Sequence, residues 1–174
     1  MSIRVGTKLP DFKANAYFPD GTMKELNFAD YKGKWSVIFF YHLDFTFVCP
    51  TEIQAYSKQA AAFTKEGAEI IAVSTDSAFT HKAWAESSLG KVNFPIIGDT
   101  NHEVSRLFGV LIEEKGIALR GTFIINPEGQ LVSSVVNDLS VGRSVDETFR
   151  TIKAFQTGGL TPCEWKPGQE TLKV

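Results

Sequence analysis

Two cysteines, Cys49 and Cys163, carry the reactive potential of this chain. Cys49 stands in the segment Asp44-Phe45-Thr46-Phe47-Val48-Cys49-Pro50-Thr51-Glu52, directly after the apolar run Val37-Ile38-Phe39-Phe40-Tyr41. An apolar run, a few loop residues and then Cys-Pro opening an amphipathic stretch read as strand, loop and helix N-terminus. A cysteine there meets backbone N–H groups that lack intrahelical partners, at the positive end of the helix dipole. Such surroundings can draw a cysteine pKa from about 8.5 into roughly the 3.5–7.5 range. The thiolate is the nucleophile, so the pattern places a reactive sulfur. The plainer reading, a small apolar residue filling a helix start, is outweighed by the flanking Thr46, Pro50 and Glu52.

The neighbours suggest what such a sulfur would attack. Thr46 lies three positions before Cys49, and its hydroxyl both donates and accepts, so it could hold a small polar substrate beside the sulfur. Glu52 lies three positions after Cys49, on the same side of the first helical turn. A lone carboxylate there would oppose a thiolate by like charge; it makes sense if it holds a cation, and arginine suits that task. Arg120 opens the apolar run Gly121-Thr122-Phe123-Ile124-Ile125, and a polar residue at a strand end can face a site. Its guanidinium fork could stabilise the thiolate and then the charge developing on a departing oxygen. Arg143, just before the last helix, is a weaker candidate. His42, His81 and His102 are too dispersed in sequence to argue a triad, and only His42 lies near Cys49. A cysteine-protease reading would lean on it, but no oxyanion device or orienting Asn or Asp is visible. Trp84 and Trp165 read as packing or interface anchors, and Phe45 and Phe47 as walls that keep water from the pocket.

The elements that must position these residues follow from periodicity and breakers. Residues 37–41 form a strand apolar on both faces and hence buried. A helix is expected over 50–66, with Ile53, Tyr56, Ala60 and Phe63 on one face, Pro50 in the first turn and Gly67 at the exit. A second buried strand follows over 69–74, then a helix over 77–88, a short strand over 94–97 and a short helix over 101–108. Residues 122–126 and 130–137 read as paired strands joined by the turn Asn126-Pro127-Glu128-Gly129. Ser144 opens the last long helix with Glu147 three residues later, a capping-box spacing, and Val145, Phe149, Ile152 and Phe155 line its expected inner face. Asp20-Gly21 signals a hairpin near the N-terminus. The order β, α, β, α, β, α, β, β, α predicts a three-layer α/β domain of thioredoxin type with an N-terminal addition. The 174 residues suit one domain, with a core over about 3–157 and an extended tail over 158–174 that carries Cys163.

Composition narrows the function classes. Hydrophobic residues make up 43% and charged residues 22%, and the net charge is −2, so nothing in the electrostatics calls for nucleic acid or an anionic membrane. No apolar run approaches the ~20 residues of a membrane span. The first residues show no apolar signal core, so a cytoplasmic protein is expected. Zinc is disfavoured because neither cysteine has a CxxC or HxxxH neighbour. A structural disulfide is unexpected in a reducing compartment.

The residues together resemble the typical two-cysteine peroxiredoxins, and most nearly the type found as the peroxidase subunit of bacterial alkyl hydroperoxide reductase. Phe45 to Glu52 carries the most specific part of the resemblance. Val73-Ser74-Thr75-Asp76-Ser77, His81-Lys82-Ala83-Trp84, Val141-Gly142-Arg143-Ser144 and the tail motif Pro162-Cys163-Glu164-Trp165 extend it over nearly the whole chain. The resemblance implies that Cys49 is the peroxidatic cysteine and Cys163 the resolving one. It implies that Thr46 hydrogen-bonds the peroxide, Arg120 activates the sulfur, Glu52 orients Arg120 and Arg143 supports that network. It further implies hydroperoxide substrates, a sulfenic acid intermediate, and an intersubunit Cys49–Cys163 disulfide. A thioredoxin or flavoprotein disulfide reductase would recycle that disulfide. A homodimer is implied, often five to a ring, with no haem, flavin or metal.

Two departures from the family pattern stand out. The proline usual a few residues before Thr46 is replaced by His42, which bears on the shielding of the pocket and its pH dependence. The chain runs 174 − 163 = 11 residues past Cys163 without a Tyr-Phe pair, and Ser87-Ser88-Leu89-Gly90 stands where oxidation-sensitive members carry Gly-Gly-Leu-Gly. Opening of the Cys49 helix is therefore expected to be easy and over-oxidation slow. Two other readings remain at this point: a ring-forming holdase chaperone whose thiols only switch assembly, and a thioredoxin-type oxidoreductase, which lacks a CxxC pair here.

Overall fold

Residues 2–173 are described by a computed structural model. They divide into two units, one ending at Arg143 and the other beginning at Ser144. In chain order the first unit contains β1 (Lys13–Tyr17), β2 (Met23–Asn27), a 3-10 turn (Phe28–Tyr31), β3 (Trp35–Phe40), α1 (Cys49–Lys65), β4 (Ala68–Ser74) and α2 (Ala78–Trp84). It continues with β5 (Ile96–Gly98), α3 (Glu103–Leu107), β6 (Leu111–Ile112), β7 (Ile117–Ala118), β8 (Arg120–Ile125) and β9 (Leu131–Asn137).

Seven of these strands form one sheet in the order β2-β1-β5-β4-β3-β8-β9. β3 lies at the centre of the chemistry, parallel to β4 through Val37↔Ile70 and Phe39↔Ala72, and antiparallel to β8 through Val37↔Ile124 and Phe39↔Thr122. Its side chains alternate between two faces. Ile38 and Phe40 join Ile71, Val73, Ile97, Phe123 and Ile125 in one apolar cluster. In it Phe108 packs edge-on to Phe123 with ring centroids 4.7 Å apart. On the other face Phe39 stacks on Tyr56 of α1 at 4.2 Å. The expected apolar stripe of α1 is buried: Ile53, Tyr56, Ala60 and Phe63 face inward, and Cys49 and Glu52 continue the same stripe to the first turn. Spacing i, i+3, i+4, i+7 from Cys49 therefore drives the sulfur and the carboxylate into the protein along with the aliphatic residues.

Local chemistry adjusts several expected boundaries. The Asp20-Gly21 signal does make a hairpin, because Gly21 sits at φ +83° and Asp20 Oδ1 accepts from the backbone and hydroxyl of Thr22 at 3.0 and 2.6 Å. The helix expected over 77–88 is α helical only over Ala78–Trp84 and then widens into a π turn over Ala85–Leu89. The strand expected over 94–97 pairs over Ile96–Gly98, since Pro95 has no N–H to give the ladder. The helix expected over 101–108 shrinks to α3, started by Asp99, whose carboxylate takes the amides of Val104 and Ser105 at 3.0 and 2.7 Å. β6 and β7 are too short to leave a periodic signal.

The second unit contains α4 (Val145–Gln156) and the tail. Ser144 Oγ accepts from the Glu147 amide at 3.2 Å, which is half of the expected capping box; the Glu147 carboxylate is held instead by Arg150 at 2.6 and 2.7 Å. Val145, Thr148 and Ile152 are the buried residues of α4, whereas Phe155, expected inside, is exposed. The tail is not simply extended. Leu172 N bonds Leu160 O at 2.7 Å, and buried Trp165 donates its indole N–H to Gln169 O at 3.1 Å, so this tryptophan is a packing anchor within its own unit.

Gly121, next to Arg120 in β8, has no room for a side chain: a Cβ there would lie 2.6 Å from the Phe123 ring and 2.8 Å from Val110. Gly121→Ala is therefore expected to lower stability by about 1–3 kcal/mol, the usual cost of overpacking. A shift of the urea midpoint at unchanged slope would measure it.

Candidate active site

The site is built where the C-terminal end of β3, the first turn of α1 and the start of β8 meet. Between β3 and α1 the chain must turn sharply, and buried polar contacts hold the turn. Tyr41 donates its hydroxyl to Asp44 Oδ1 at 2.7 Å, His81 Nδ1 meets Asp44 Oδ2 at 2.7 Å, and the Asp44 amide donates to Asp76 Oδ2 at 2.7 Å. His81 is fully buried, and its other nitrogen reaches Ile97 O at 3.1 Å. Burial, with the Asp44 charge beside it, pushes the Tyr41 hydroxyl well above its ordinary pKa, so it stays a donor. Phe45 then takes a left-handed conformation, φ 54°, which an L residue adopts only when its surroundings compel it.

That turn delivers Cys49 to the head of α1, where no side chain caps the helix and Pro50 occupies the first turn. The sulfur is completely buried. Arg120 Nη1 donates to Cys49 Sγ at 3.5 Å and to Glu52 Oε2 at 2.7 Å, while Arg120 Nε donates to Leu139 O at 2.7 Å. Arg120 is itself 0% exposed, which makes it the largest fully buried side chain described. Arg143 grips Glu52 from the other side. Its Nε and backbone N–H meet Oε1 at 2.8 and 2.9 Å, its Nη2 meets Oε2 at 2.8 Å, and its Nη1 donates to Gly121 O at 2.7 Å. The Arg143 guanidinium also lies over the Phe39 ring at 5.3 Å.

Two buried guanidinium groups thus share one carboxylate. Burial pushes the Glu52 carboxyl up, but hydrogen bonds and charge from Arg143, with Arg120 adding to them, outweigh burial and hold it below its ordinary value of 4.5. Two cations against one anion leave one positive charge in excess, and an unpaired buried charge is costly. Arg120 Nη1 brings that excess to within 3.5 Å of Cys49 Sγ.

The sequence-predicted residues come together unevenly. Cys49, Glu52, Arg120 and Arg143 form one cluster. Thr46 lies on the same turn, half-buried, with its hydroxyl donating to Leu43 O at 2.9 Å. Cys163 is exposed and belongs to the second unit. Phe47, expected to wall the pocket, is instead 94% exposed, because it falls on the outward side of the turn before α1. The main residue undervalued in the sequence is His42. Its Nδ1 lies 3.3 Å from Cys49 Sγ and 3.4 Å from Arg120 Nη2. Burial, then the Arg120 charge, lower its pKa from the ordinary 6.5, with Glu52 partly opposing them. Its position seven residues before a helix-start cysteine was the available signal, but only the folded turn shows that the ring folds back onto the sulfur.

A buried cysteine under an Arg–Glu–Arg cluster, on a thioredoxin-like sheet, defines a thiol-based enzyme. The AhpC/TSA family model matches residues 5–134, and the chain belongs to that family. It is 53% identical over 174 residues to a putative peroxiredoxin encoded in a rubredoxin operon of Clostridium pasteurianum, covering 97% of this chain and 98% of that one. It is 51% identical to peroxiredoxin-2 of Macaca fascicularis, covering 98% and 90%. Among solved structures, a reduced 2-Cys peroxiredoxin of Plasmodium vivax superposes with a TM-score of 0.94 at 35% identity, covering 98% of this chain and 93% of that one. AhpC of Enterococcus faecalis superposes with a TM-score of 0.86 at 40% identity, covering 90% and 94%. The enzyme is a peroxidase of the peroxiredoxin class.

Removing the shared anion leaves two guanidinium groups facing each other. Glu52→Ala is expected to cost about 3–5 kcal/mol at neutral pH. Because the Glu52 pKa is depressed on folding, its contribution is complete above the ordinary 4.5 and disappears as pH falls through the lower folded value. Glu52→Gln should therefore flatten the acid limb of a plot of unfolding free energy against pH. An unchanged acid limb would show that the carboxylate is not held as described.

Proposed function

We propose that the chain reduces hydrogen peroxide and small organic hydroperoxides through a sulfenic acid on Cys49 and an intersubunit disulfide with Cys163. The observation that carries the reading is the Arg120 Nη1 contact to Cys49 Sγ, made by a guanidinium whose charge is only partly balanced by Glu52. Arg120 stabilises negative charge on the sulfur, Glu52 fixes Arg120, and Arg143 fixes Glu52. Thr46 is assigned to the peroxide, since its hydroxyl, already donating to Leu43 O, keeps lone pairs to accept the peroxide O–H.

In the proposed reaction the sulfur lone pair attacks the hydroxyl oxygen of the hydroperoxide in line with the O–O bond. The S–O bond forms as the O–O bond breaks, and the bonding pair leaves on the distal oxygen, which takes up a proton and departs as water or alcohol. The rate comes from alignment and from fixed positive charge where the departing oxygen develops its own. Cys49 is left as the sulfenic acid. The Cys163 thiol of the partner subunit then attacks that sulfur, forming the disulfide and releasing water. A dithiol reductant, thioredoxin or a flavoprotein disulfide reductase, returns both cysteines to thiols by exchange. A fully buried Cys49 can form that disulfide only if the first turn of α1 opens, so a local unfolding step is part of the proposal. We assign the assembly to a homodimer, with five dimers to a ring as the larger form, and the location to the cytoplasm. Among the described residues no helix is long and apolar enough to cross a membrane.

The contact between Cys49 and His42 gives the cysteine-protease reading its one point of support. That reading is disfavoured because the same nitrogen of His42 also faces Arg120, and the family is one of peroxidases.

Cys49→Ser should abolish peroxide consumption while leaving the fold intact. Cys163→Ser should still consume one equivalent of peroxide per chain and then stop, without a disulfide. Non-reducing mass spectrometry after one equivalent of peroxide should show a Cys49–Cys163 linked dimer in the unmodified protein. Two free thiols in that sample would overturn the scheme.

A further inference from the structure

His42 occupies a position that neither Glu52, Arg143 nor Thr46 duplicates. It is half-buried at the rim of the site, and the groups that face it are Cys49 and Glu52 from α1 and Arg120 from β8. Three features of the contact matter. First, a guanidinium can only donate, so Arg120 Nη2 at 3.4 Å from His42 Nδ1 makes a hydrogen bond only if Nδ1 carries no proton. A neutral imidazole with a bare Nδ1 carries its hydrogen on Nε2. Second, Cys49 Sγ lies 3.3 Å from Nδ1 and 4.0 Å from Nε2. Sulfur near both nitrogens sits against the ring and not on the axis of either one, so the Nε2–H is not spent on the sulfur. Third, a donor 4.0 Å from the attacking atom is within hydrogen-bond reach of the departing oxygen of a peroxide aligned on that atom, which lies one O–O bond beyond the attacked oxygen.

We propose that His42 is a catalytic residue of the peroxide step. Arg120 fixes its tautomer, and its Nε2–H is the hydrogen-bond donor to the hydroperoxide oxygen that leaves as the O–O bond breaks. The inference rests on Cys49 being the nucleophile. As the sulfur pair forms the S–O bond and the O–O pair passes to the departing oxygen, the Nε2–H bond shortens onto that oxygen and spreads its charge. The proton that the departing oxygen finally takes comes from solvent water, so His42 ends the step neutral and unchanged. The direct donors to the reacting atoms then become two, Arg120 Nη1 and His42 Nε2.

The arrangement makes the step sensitive to acid. An imidazolium has no lone pair on Nδ1, so protonation breaks the bond from Arg120 and sets two cations side by side. Burial and the Arg120 charge keep the ring neutral down to a pH below its ordinary 6.5, which is consistent with a donor role at neutral pH.

The test is the second-order rate constant of Cys49 oxidation by hydrogen peroxide, followed by stopped-flow tryptophan fluorescence from about pH 5 to 8. It compares the unmodified chain with His42→Leu and His42→Asn. Leucine offers neither acceptor nor donor and should lower the rate constant about tenfold at pH 7.5, the kinetic equivalent of one hydrogen bond. Asparagine can accept from Arg120 and donate onward, so it should keep the rate within about threefold at pH 7.5. It should also lose the part of the acid limb that His42 contributes. A Leu variant as fast as the unmodified chain overturns the proposal. If the Leu variant fails to fold, an Asn variant with an unchanged acid limb overturns it equally. If the unmodified chain shows no peroxide oxidation at Cys49, the nucleophile assignment itself has failed, and His42 is not what was wrong.

Discussion

The structure around Cys49 depends on one carboxylate held between two buried guanidinium groups. Glu52 accepts from Arg120 at 2.7 Å and from Arg143 at 2.8 and 2.8 Å, and its surroundings exclude water. Burying three charges is expensive, and removing Glu52 would leave two buried guanidinium groups with no carboxylate between them. Such a cluster is weak evidence for stability but strong evidence for geometry, since its forks admit few arrangements. Its sum is one positive charge, and Arg120 Nη1 lies 3.5 Å from the Cys49 sulfur. The reactivity proposed for the sulfur thus draws on the electrostatic imbalance of the cluster.

Each partner is supplied by a different element. Glu52 comes from α1, one helical turn after the cysteine. Arg120 begins β8, the antiparallel neighbour of β3, and Arg143 closes the segment that follows β9. The sheet register brings the start of β8 beside the end of β3, and Gly121 lets the strand pass Phe123 and Val110 without a side chain between them. The turn carrying Asp44 has its own buried anchor in Tyr41, His81 and Asp76, so the cysteine is positioned from below by one polar network and from the side by another.

Much of this was legible before folding was considered. The stripe Ile53, Tyr56, Ala60 and Phe63 announced α1, and its extension to Cys49 and Glu52 follows from the same period. Arg120 as a polar strand start and Glu52 as an anchor for a cation were readable as types, and the geometry joins them. Other features were not legible because they arise only from contacts distant in sequence. Arg143 read from its own position only as a weaker candidate, because 91 positions separate it from the carboxylate it binds, yet its side chain is 4% exposed. Phe155 satisfied the helical period and is nevertheless exposed. The π turn after Trp84 and the short β6–β7 pair leave no pattern in a sequence window. His42 was visible as a departure from the family pattern, but its contact with the sulfur depends on how the turn after β3 closes.

The most direct measurement is the rate constant for oxidation of Cys49 by hydrogen peroxide in Arg120→Lys. Lysine keeps a charge near the site but has no fork to serve Glu52, Leu139 and the sulfur together. If the guanidinium beside the sulfur is what makes it reactive, the rate constant should fall by about a hundredfold or more, as when a preorganised donor is lost. A folded Arg120→Lys variant within about threefold of the unmodified chain would contradict the account.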